Sequence, residues 1–295
     1  MKSVNEGGLR TRGIRKEALP QKPLVSVITV VLNGEKHLAQ TIQSVASQSY
    51  ENIEYVIIDG GSHDKTLEII GKYESSIDYW ISAPDTGIYD AMNKGIQLSR
   101  GTLIDLLNAD DYLDPNAVEA VVSGYKKKGS PCIIYGDYFL IDETLGYKVE
   151  ARSHLNFWLG MTVSHQSMFV HREVYESLGY YDTGYSLASD YDFLLRAINN
   201  SVELVHVDVL VVFRRLHGKG GRNFLLSKLE TNSIQRKYFK GSLSRRAAFW
   251  ANTVLDAAKI IVLQGVKLLI GPEKTKRLLM FYYKSRSIKC SLVSS

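Results

Sequence analysis

The sequence has 295 residues, enough for one large domain or for one domain with appendages. Its 45% hydrophobic content allows a substantial core, and two cysteines, Cys132 and Cys290, exclude a disulfide scaffold or a cysteine-based zinc site. The net charge of +5 is unevenly distributed: residues 236–295 hold 13 basic and 2 acidic residues, whereas residues 23–235 hold 17 and 27. No apolar run is typical of a secretory signal or a membrane span, so we expect neither.

Apolar runs alternate with amphipathic segments over roughly the first 130 residues. Strands are predicted at Leu24–Val31, Ile53–Ile58, Tyr79–Ser82 and Thr102–Leu107, with helices at 35–48, 65–74 and 88–99 between them. A helix near 115–128 and a strand at Cys132–Leu140 follow. This rhythm predicts an α/β fold with a mostly parallel sheet covered by helices on both faces. Beyond residue 150 we expect loops, a helix near 190–199, strands near 202–216 and then mostly helix.

These patterns divide the chain into segments. Residues 1–22 form a basic extension, and residues 23–235 form the body, with a nucleotide-binding half (23–140) and an acceptor-side half (141–235). Residues 236–295 form a basic, amphipathic helical tail.

Two acidic clusters stand at predicted strand ends, where ligands bind in open α/β sheets. Asp59 precedes two glycines that allow a sharp turn and a close ligand approach, and Asp110 and Asp111 follow the fourth strand. Adjacent carboxylates repel each other unless a cation or donor lies between them, so this pair favours a site for Mg²⁺ or Mn²⁺. The alternative is a helix N-cap, which we prefer for Asp114 before Pro115. Neither a phosphate-binding P-loop nor a G-x-G-x-x-G motif is present.

Four ordered segments resemble one known family. They are Pro23–Asn33 (PLVSVITVVLN), Val56–Ser62 (VIIDGGS), Asp85–Gly95 (DTGIYDAMNKG) and Leu107–Asp111 (LNADD). Together they resemble the family 2 glycosyltransferases of the GT-A fold, a Rossmann-like α/β architecture, and especially the bacterial branch that builds O-antigen, capsule and other exopolysaccharides. The resemblance covers about residues 23–235.

The resemblance implies a nucleotide-binding set by position. Thr29 and Val31 match the strand end that lines the base and ribose pocket, and Asp59 matches the aspartate that contacts the base. Asp90 and Lys94 lie on the segment flanking the diphosphate. Within the D-x-D-type position, Asp110 is assigned to the nucleotide and Asp111 to a Mn²⁺ or Mg²⁺ ion; Asn108 replaces the first aspartate.

The resemblance also implies catalytic and acceptor residues. Asp190 matches the carboxylate that deprotonates the acceptor hydroxyl, with Ser189 replacing the frequent glutamate; the alternative is a simple N-terminal helix charge. His165 and Gln166 match an element beside the acceptor. His217 is a second metal or diphosphate contact, although the family's Gly-Gly-x-Ser turn is absent there.

The resulting hypothesis is an inverting, metal-dependent transferase that moves a sugar, with UDP as the expected carrier, to a saccharide acceptor. We expect the acceptor to be lipid-linked and the protein to be cytoplasmic, at the inner membrane face. The alternatives are a nucleotidyltransferase, disfavoured by the missing glycine-rich loop, and an inactive saccharide-binding protein.

The tail carries a polar stripe opposite an apolar side that includes Trp250, Leu255, Ile261, Leu268 and Leu269. This pattern is typical of a helix in an anionic membrane interface. Packing on the body or in a homodimer is the alternative, and nucleic acid is disfavoured by the acidic centre.

Overall fold

The computed structural model describes residues 5–128, 130–216, 223–239, 243–285 and 288–292. The strands in these residues are β1 Asn5–Gly7, β2 Val25–Val31, β3 Ile53–Asp59, β4 Tyr79–Ser82, β5 Leu103–Asn108, β6 Tyr112–Leu113, β7 Cys132–Asp142, β8 Tyr147–Ala151, β9 Met168–His171, β10 Glu203–Arg215 and β11 Cys290–Leu292. The helices are α1 Leu38–Ala46, α2 Thr66–Lys72, α3 Ile88–Leu98, α4 Ala117–Lys128, α5 Arg172–Leu178, α6 Ser189–Asn199, α7 Phe224–Tyr238 and α8 Leu243–Ser285.

One mixed sheet organises the chain in the order β1-β4-β3-β2-β5-β9-β7-β10-β6. Strands β4, β3, β2 and β5 are parallel neighbours, as the apolar runs predict. The chain passes from β2 outward through β3 and β4 and then returns to β5 on the other side of β2. The loops after β2 and β5 therefore diverge and leave a crevice at the carboxyl edge, which is where such sheets bind ligands.

Both faces of the sheet are covered, which confirms the predicted layers. Along β2, Val25 and Val27 face a cluster with α1, α2 and α4, whereas Ile28 and Val30 face a cluster with α3, α5 and α6. This alternation follows from the two-residue period of a strand. Every residue of β2 and β3 is buried, so the continuous apolar runs reflect a two-sided core.

The second half contains more sheet than the sequence indicated. Strand β9, only four residues long, pairs antiparallel with both β5 and β7 and so joins the two parallel parts of the sheet. The predicted strands near 202–216 are one strand, β10, with register shifts between His206 and Val212 where it pairs with β7.

The two ends of the chain also pack on the body. Strand β1 pairs antiparallel with β4, and Lys16 of the basic extension donates to Asp78 at 2.9 Å. Helix α7 runs across residue 235, so the predicted boundary there lies inside a helix. Helix α8 breaks at Gly271, where a backbone φ of 79° precedes Pro272, and β11 pairs with β8. No helix in the described residues is long and apolar enough to cross a bilayer.

Candidate active site

The loop after β5 is anchored by Asp111. Its buried carboxylate accepts hydrogen bonds from Gln166 Nε2 and from the backbone N–H of Arg215, each at 2.8 Å. Burial, reinforced by the charge of Asp110, raises the pKa of Asp111 to about 7. Asp114, by contrast, accepts from the N–H of Asn116 just before α4, a hydrogen bond of the kind expected of the helix N-cap preferred for it from the sequence.

The neighbouring oxygens of this loop have no such partners. The half-buried Asp110 carboxylate makes no hydrogen bond within the described residues, and the buried Asn108 Oδ1 also lacks a partner there. Both groups are hard oxygen donors of the kind that Mg²⁺ and Mn²⁺ bind together with substrate phosphates. The described residues contain no group of three or more His, Cys, Asp or Glu placed for a metal.

Arg215 fixes the same loop from β10. Its guanidinium donates to the backbone carbonyl of Asp110, to Glu143 Oε1 at 2.6 Å and to Gln40 Oε1 at 2.6 Å. The partners are separated from Arg215 by 72 to 175 positions in the sequence, so no local sequence pattern predicts these contacts. The acidic loop is thus held by contacts from β10.

Asp190 lies at the start of α6, and its carboxylate contacts three polar groups. Its Oδ2 lies 3.1 Å from His165 Nδ1, and its Oδ1 accepts from Tyr89 Oη at 3.2 Å and from the N–H of Tyr191 at 2.9 Å. Burial alone would raise the pKa of Asp190, but His165, the backbone N–H and Tyr89 together hold it below its ordinary value. The carboxylate is therefore ionised at neutral pH.

One short turn joins this carboxylate to the acidic loop. His165 and Gln166 are consecutive residues of the 3₁₀ helix His165–Ser167, and they contact Asp190 and Asp111 respectively. The predicted acceptor residues thus connect the predicted base to the predicted metal loop. The sequence did not identify Tyr89 as a site residue, although it lies within the motif at 85–95. Its hydroxyl contacts Asp190, which is 101 positions away in the chain, so no local pattern indicates the contact.

Asp59 organises the loop after β3. It is fully buried, and its carboxylate accepts hydrogen bonds from the backbone of Gly61 and from Ser62 and Ser82. A Cβ at Gly60 would meet Asp85 Oδ2 at 2.3 Å, so a larger residue there would displace the Asp85 carboxylate. Direct contact of Asp59 with a nucleotide base remains a prediction.

The other predicted nucleotide residues fall into two groups. Asp90 and Lys94 form an ion pair at 2.9 Å on the partly exposed side of α3, and the N–H of Thr86 and Lys94 lower the pKa of Asp90. Thr29 and Val31 are buried in β2, and Thr29 Oγ1 accepts from Tyr55 Oη at 3.1 Å. Their predicted role in the pocket stays a prediction, and His217 lies outside the described residues.

Residues 26–178, just over half of the chain, match the family model for glycosyl transferase family 2. The chain belongs to this family. It is therefore a glycosyltransferase, as the four motifs indicated, and the matched range includes the loops after β2, β3 and β5.

Named relatives are consistent with this assignment. An uncharacterized glycosyltransferase of Mycobacterium tuberculosis is 36% identical over 183 residues, 59% of this chain and 69% of its own length. A PGL/p-HBAD biosynthesis glycosyltransferase of the same species is 31% identical over 60% of this chain and 71% of its own. Chondroitin synthase of Escherichia coli is 29% identical over 79% of this chain, which spans only 34% of that larger protein.

Solved structures share the fold. TarS 1–349 of S. aureus, in complex with UDP-GlcNAc, aligns with a TM-score of 0.58 over 78% of this chain and 71% of its own. The mannosyltransferase PcManGT of Pyrobaculum calidifontis, in complex with GDP-Man and Mn²⁺, aligns with a TM-score of 0.57 over 90% and 87%. Sequence identity is 14% in both cases, so the likeness concerns the GT-A fold.

Proposed function

We propose that this glycosyltransferase moves a sugar from a nucleotide-sugar, with UDP as carrier, to a hydroxyl of a saccharide acceptor with inversion at the anomeric carbon. The observation that carries the proposal is the half-buried, ionised Asp190 carboxylate, joined to the acidic loop through His165 and Gln166. An in-line displacement requires a general base on one side of the anomeric carbon and a diphosphate-binding loop on the other.

Asp190 acts as the general base. A sugar hydroxyl is a weak nucleophile, and a positioned carboxylate that takes its proton during attack typically contributes about 10²–10⁴-fold. Contacts with His165, Tyr89 and the N-terminus of α6 favour the ionised form, so Asp190 is ready to accept a proton at neutral pH.

The donor binds in the crevice between the loops after β2 and β5. The loop organised by Asp59 and the ion pair of Asp90 and Lys94 border the nucleotide and its diphosphate. Binding of UDP-GlcNAc by TarS and of GDP-Man by PcManGT supports a nucleotide-sugar in this position. The nucleobase of the donor is assigned as uracil by the resemblance alone.

A divalent ion, Mn²⁺ or Mg²⁺, binds at the same edge. The sequence assigned it to Asp111, but both oxygens of that buried carboxylate already accept protein hydrogen bonds. Asp110, with Asn108 beside it, is therefore the better direct ligand, and Asp111 holds the loop in place. When bound, the ion supplies a Lewis acid that neutralises charge developing on the leaving diphosphate.

Substitution of Asp190 by Asn tests the base. Asp190→Asn keeps the shape but cannot take a proton, so turnover should fall about 10²-fold or more while calorimetric binding of UDP stays unchanged.

Asp192→Asn is the matched control. Asp192 is buried two residues away and accepts from Lys237 at 3.0 Å and Tyr238 at 3.1 Å, contacts that fasten α7. This variant should lose stability yet retain turnover per folded molecule. Full activity of Asp190→Asn, or a folded but inactive Asp192→Asn, would contradict the assignment.

The biological setting is also a proposal. We place the enzyme in the cytoplasm at the inner membrane face, acting on a lipid-linked saccharide in bacterial surface polysaccharide synthesis. The motif resemblance and the basic composition of residues 236–295 support this setting. Anionic lipid attracts basic segments by about 1 kcal/mol per residue near the surface.

A further inference from the structure

The first arm of α8, residues 243–270, turns an apolar stripe toward solvent. The stripe consists of three rows of residues spaced seven apart: Ala251, Ala258 and Gly265; Val254, Ile261 and Leu268; and Leu255, Val262 and Leu269. The six large side chains are all exposed, from 58% for Leu255 to 87% for Leu268. Ala247 and Ala251, at the start of the arm, are exposed as well.

The opposite side of this arm lies against the protein. Phe249 and Thr253 are buried there and Asp256 contacts Lys228 of α7 at 3.5 Å, whereas Lys259 is exposed at the edge of the stripe. The far end is also fixed, because beyond Gly271 the helix packs through Leu279 and Tyr283 on the β7–β8 hairpin. The stripe therefore has a fixed orientation and is not covered by another described element.

The spacing of the stripe fits another helix better than a lipid surface. Apolar rows that repeat every seven residues over almost three heptads are typical of helix–helix seams, and small residues let two helix axes approach closely. Residues 247–270 carry only Asp256, Lys259 and Lys267, a net charge of +1. The remaining +10 of the tail lies in residues 236–246 and 271–289, each with a net charge of +5, outside the stripe.

The stripe is also complementary to itself when reversed. It has alanines at its start and two leucines, exposed by 85% and 87%, at its end. An antiparallel pairing centred on Ala258 places Ala247 opposite Leu269, Ala251 opposite Gly265 and Val254 opposite Val262. The leucines at the end of the stripe then meet the alanines at its start, whereas a parallel pairing would place the leucines against each other. An interface that pairs with itself in this way has twofold symmetry.

We propose that this stripe binds a second copy of the chain, forming an antiparallel helix pair about a twofold axis at Ala258. The six large side chains expose on the order of 700 Å² per copy, close to the ~800 Å² per partner of a specific interface. The proposal is independent of the reaction assigned above.

Light scattering on the full chain tests the proposal. The intact protein should have twice the 33.2 kDa mass of one chain. Ile261→Glu should halve that mass and keep UDP-sugar turnover, because Ile261 is exposed at the centre of the stripe and its replacement buries no charge in the monomer. Leu278→Glu, at an exposed leucine outside the stripe, should remain a dimer. An intact chain that is monomeric, or a dimer that survives Ile261→Glu, overturns the proposal.

Single cysteines test the orientation in a Cys290→Ser background. Ala258→Cys should form an intermolecular disulfide, because the axis brings this position against itself. Ala251→Cys should not, since its symmetry mate lies about 21 Å along the helix, at the height of Gly265. Equal disulfide yield at both positions overturns the antiparallel pairing. A monomer that binds anionic vesicles through Ile261 assigns the stripe to a membrane and overturns the dimer.

Discussion

Asp105 provides a stability test that follows directly from the core. It lies in the middle of β5 and is fully buried, and neither carboxylate oxygen has a hydrogen-bond partner among the described residues. Burial raises the pKa of Asp105 well above its ordinary value, because the charged form is not solvated there. The folded protein therefore holds this side chain as a neutral acid.

The sign of the pH dependence follows from proton binding. In the unfolded chain Asp105 ionises near pH 4, whereas the folded chain keeps its proton. The contribution of Asp105 to stability is therefore greatest below pH 4 and falls by about 1.4 kcal/mol per pH unit as the pH rises toward the folded pKa. Asp105→Asn removes this dependence. The amide is also buried without partners, at a similar cost of about 1–3 kcal/mol, so the two proteins should be nearly equal at pH 4.

Urea unfolding at several pH values between 4 and 8 measures the effect. We expect the advantage of Asp105→Asn to grow with pH at the slope given above and then to level off. Asp208→Asn is the matched control, because Asp208 is exposed on β10 and should give no such trend. A constant difference between the wild type and Asp105→Asn across this range would refute the account of a protonated Asp105.

Two further predictions concern the reaction. EDTA should stop transfer and Mn²⁺ should restore it, and calorimetry should show that Asp110→Asn weakens binding of Mn²⁺ with UDP by at least the 10–100-fold typical of lost ligand-orienting partners. Unchanged metal affinity would exclude Asp110 as a ligand. His165→Leu should shift the acidic limb of the kcat–pH profile to higher pH, because Asp190 loses a hydrogen bond that lowers its pKa. An acidic limb at the same pH in the variant would show that His165 has only a packing role.

Much of the sheet was predictable because its signal is local. Strand β4 has the predicted bounds, β2 and β3 differ from theirs by one residue at one end, and β5 differs by one residue at each end, since a strand buried on both faces is mostly apolar. Strand β9 was not predicted. It has only four residues, and its place between β5 and β7 depends on pairing with strands far away in the chain.

The sequence by itself determined the fold class, the family and the clustering of acidic residues at the carboxyl edge, because strand ends and motif order are properties of short segments. Tertiary structure alone decided how those carboxylates differ. Asp110 and Asp111 are adjacent and chemically identical, yet the Gln166 side chain and the backbone N–H of Arg215 donate only to the carboxylate of Asp111, and these partners come from distant elements. Burial and hydrogen bonding, which set the pKa and the ligand capacity of each carboxylate, exist only once β10 and the His165 turn have packed against the loop.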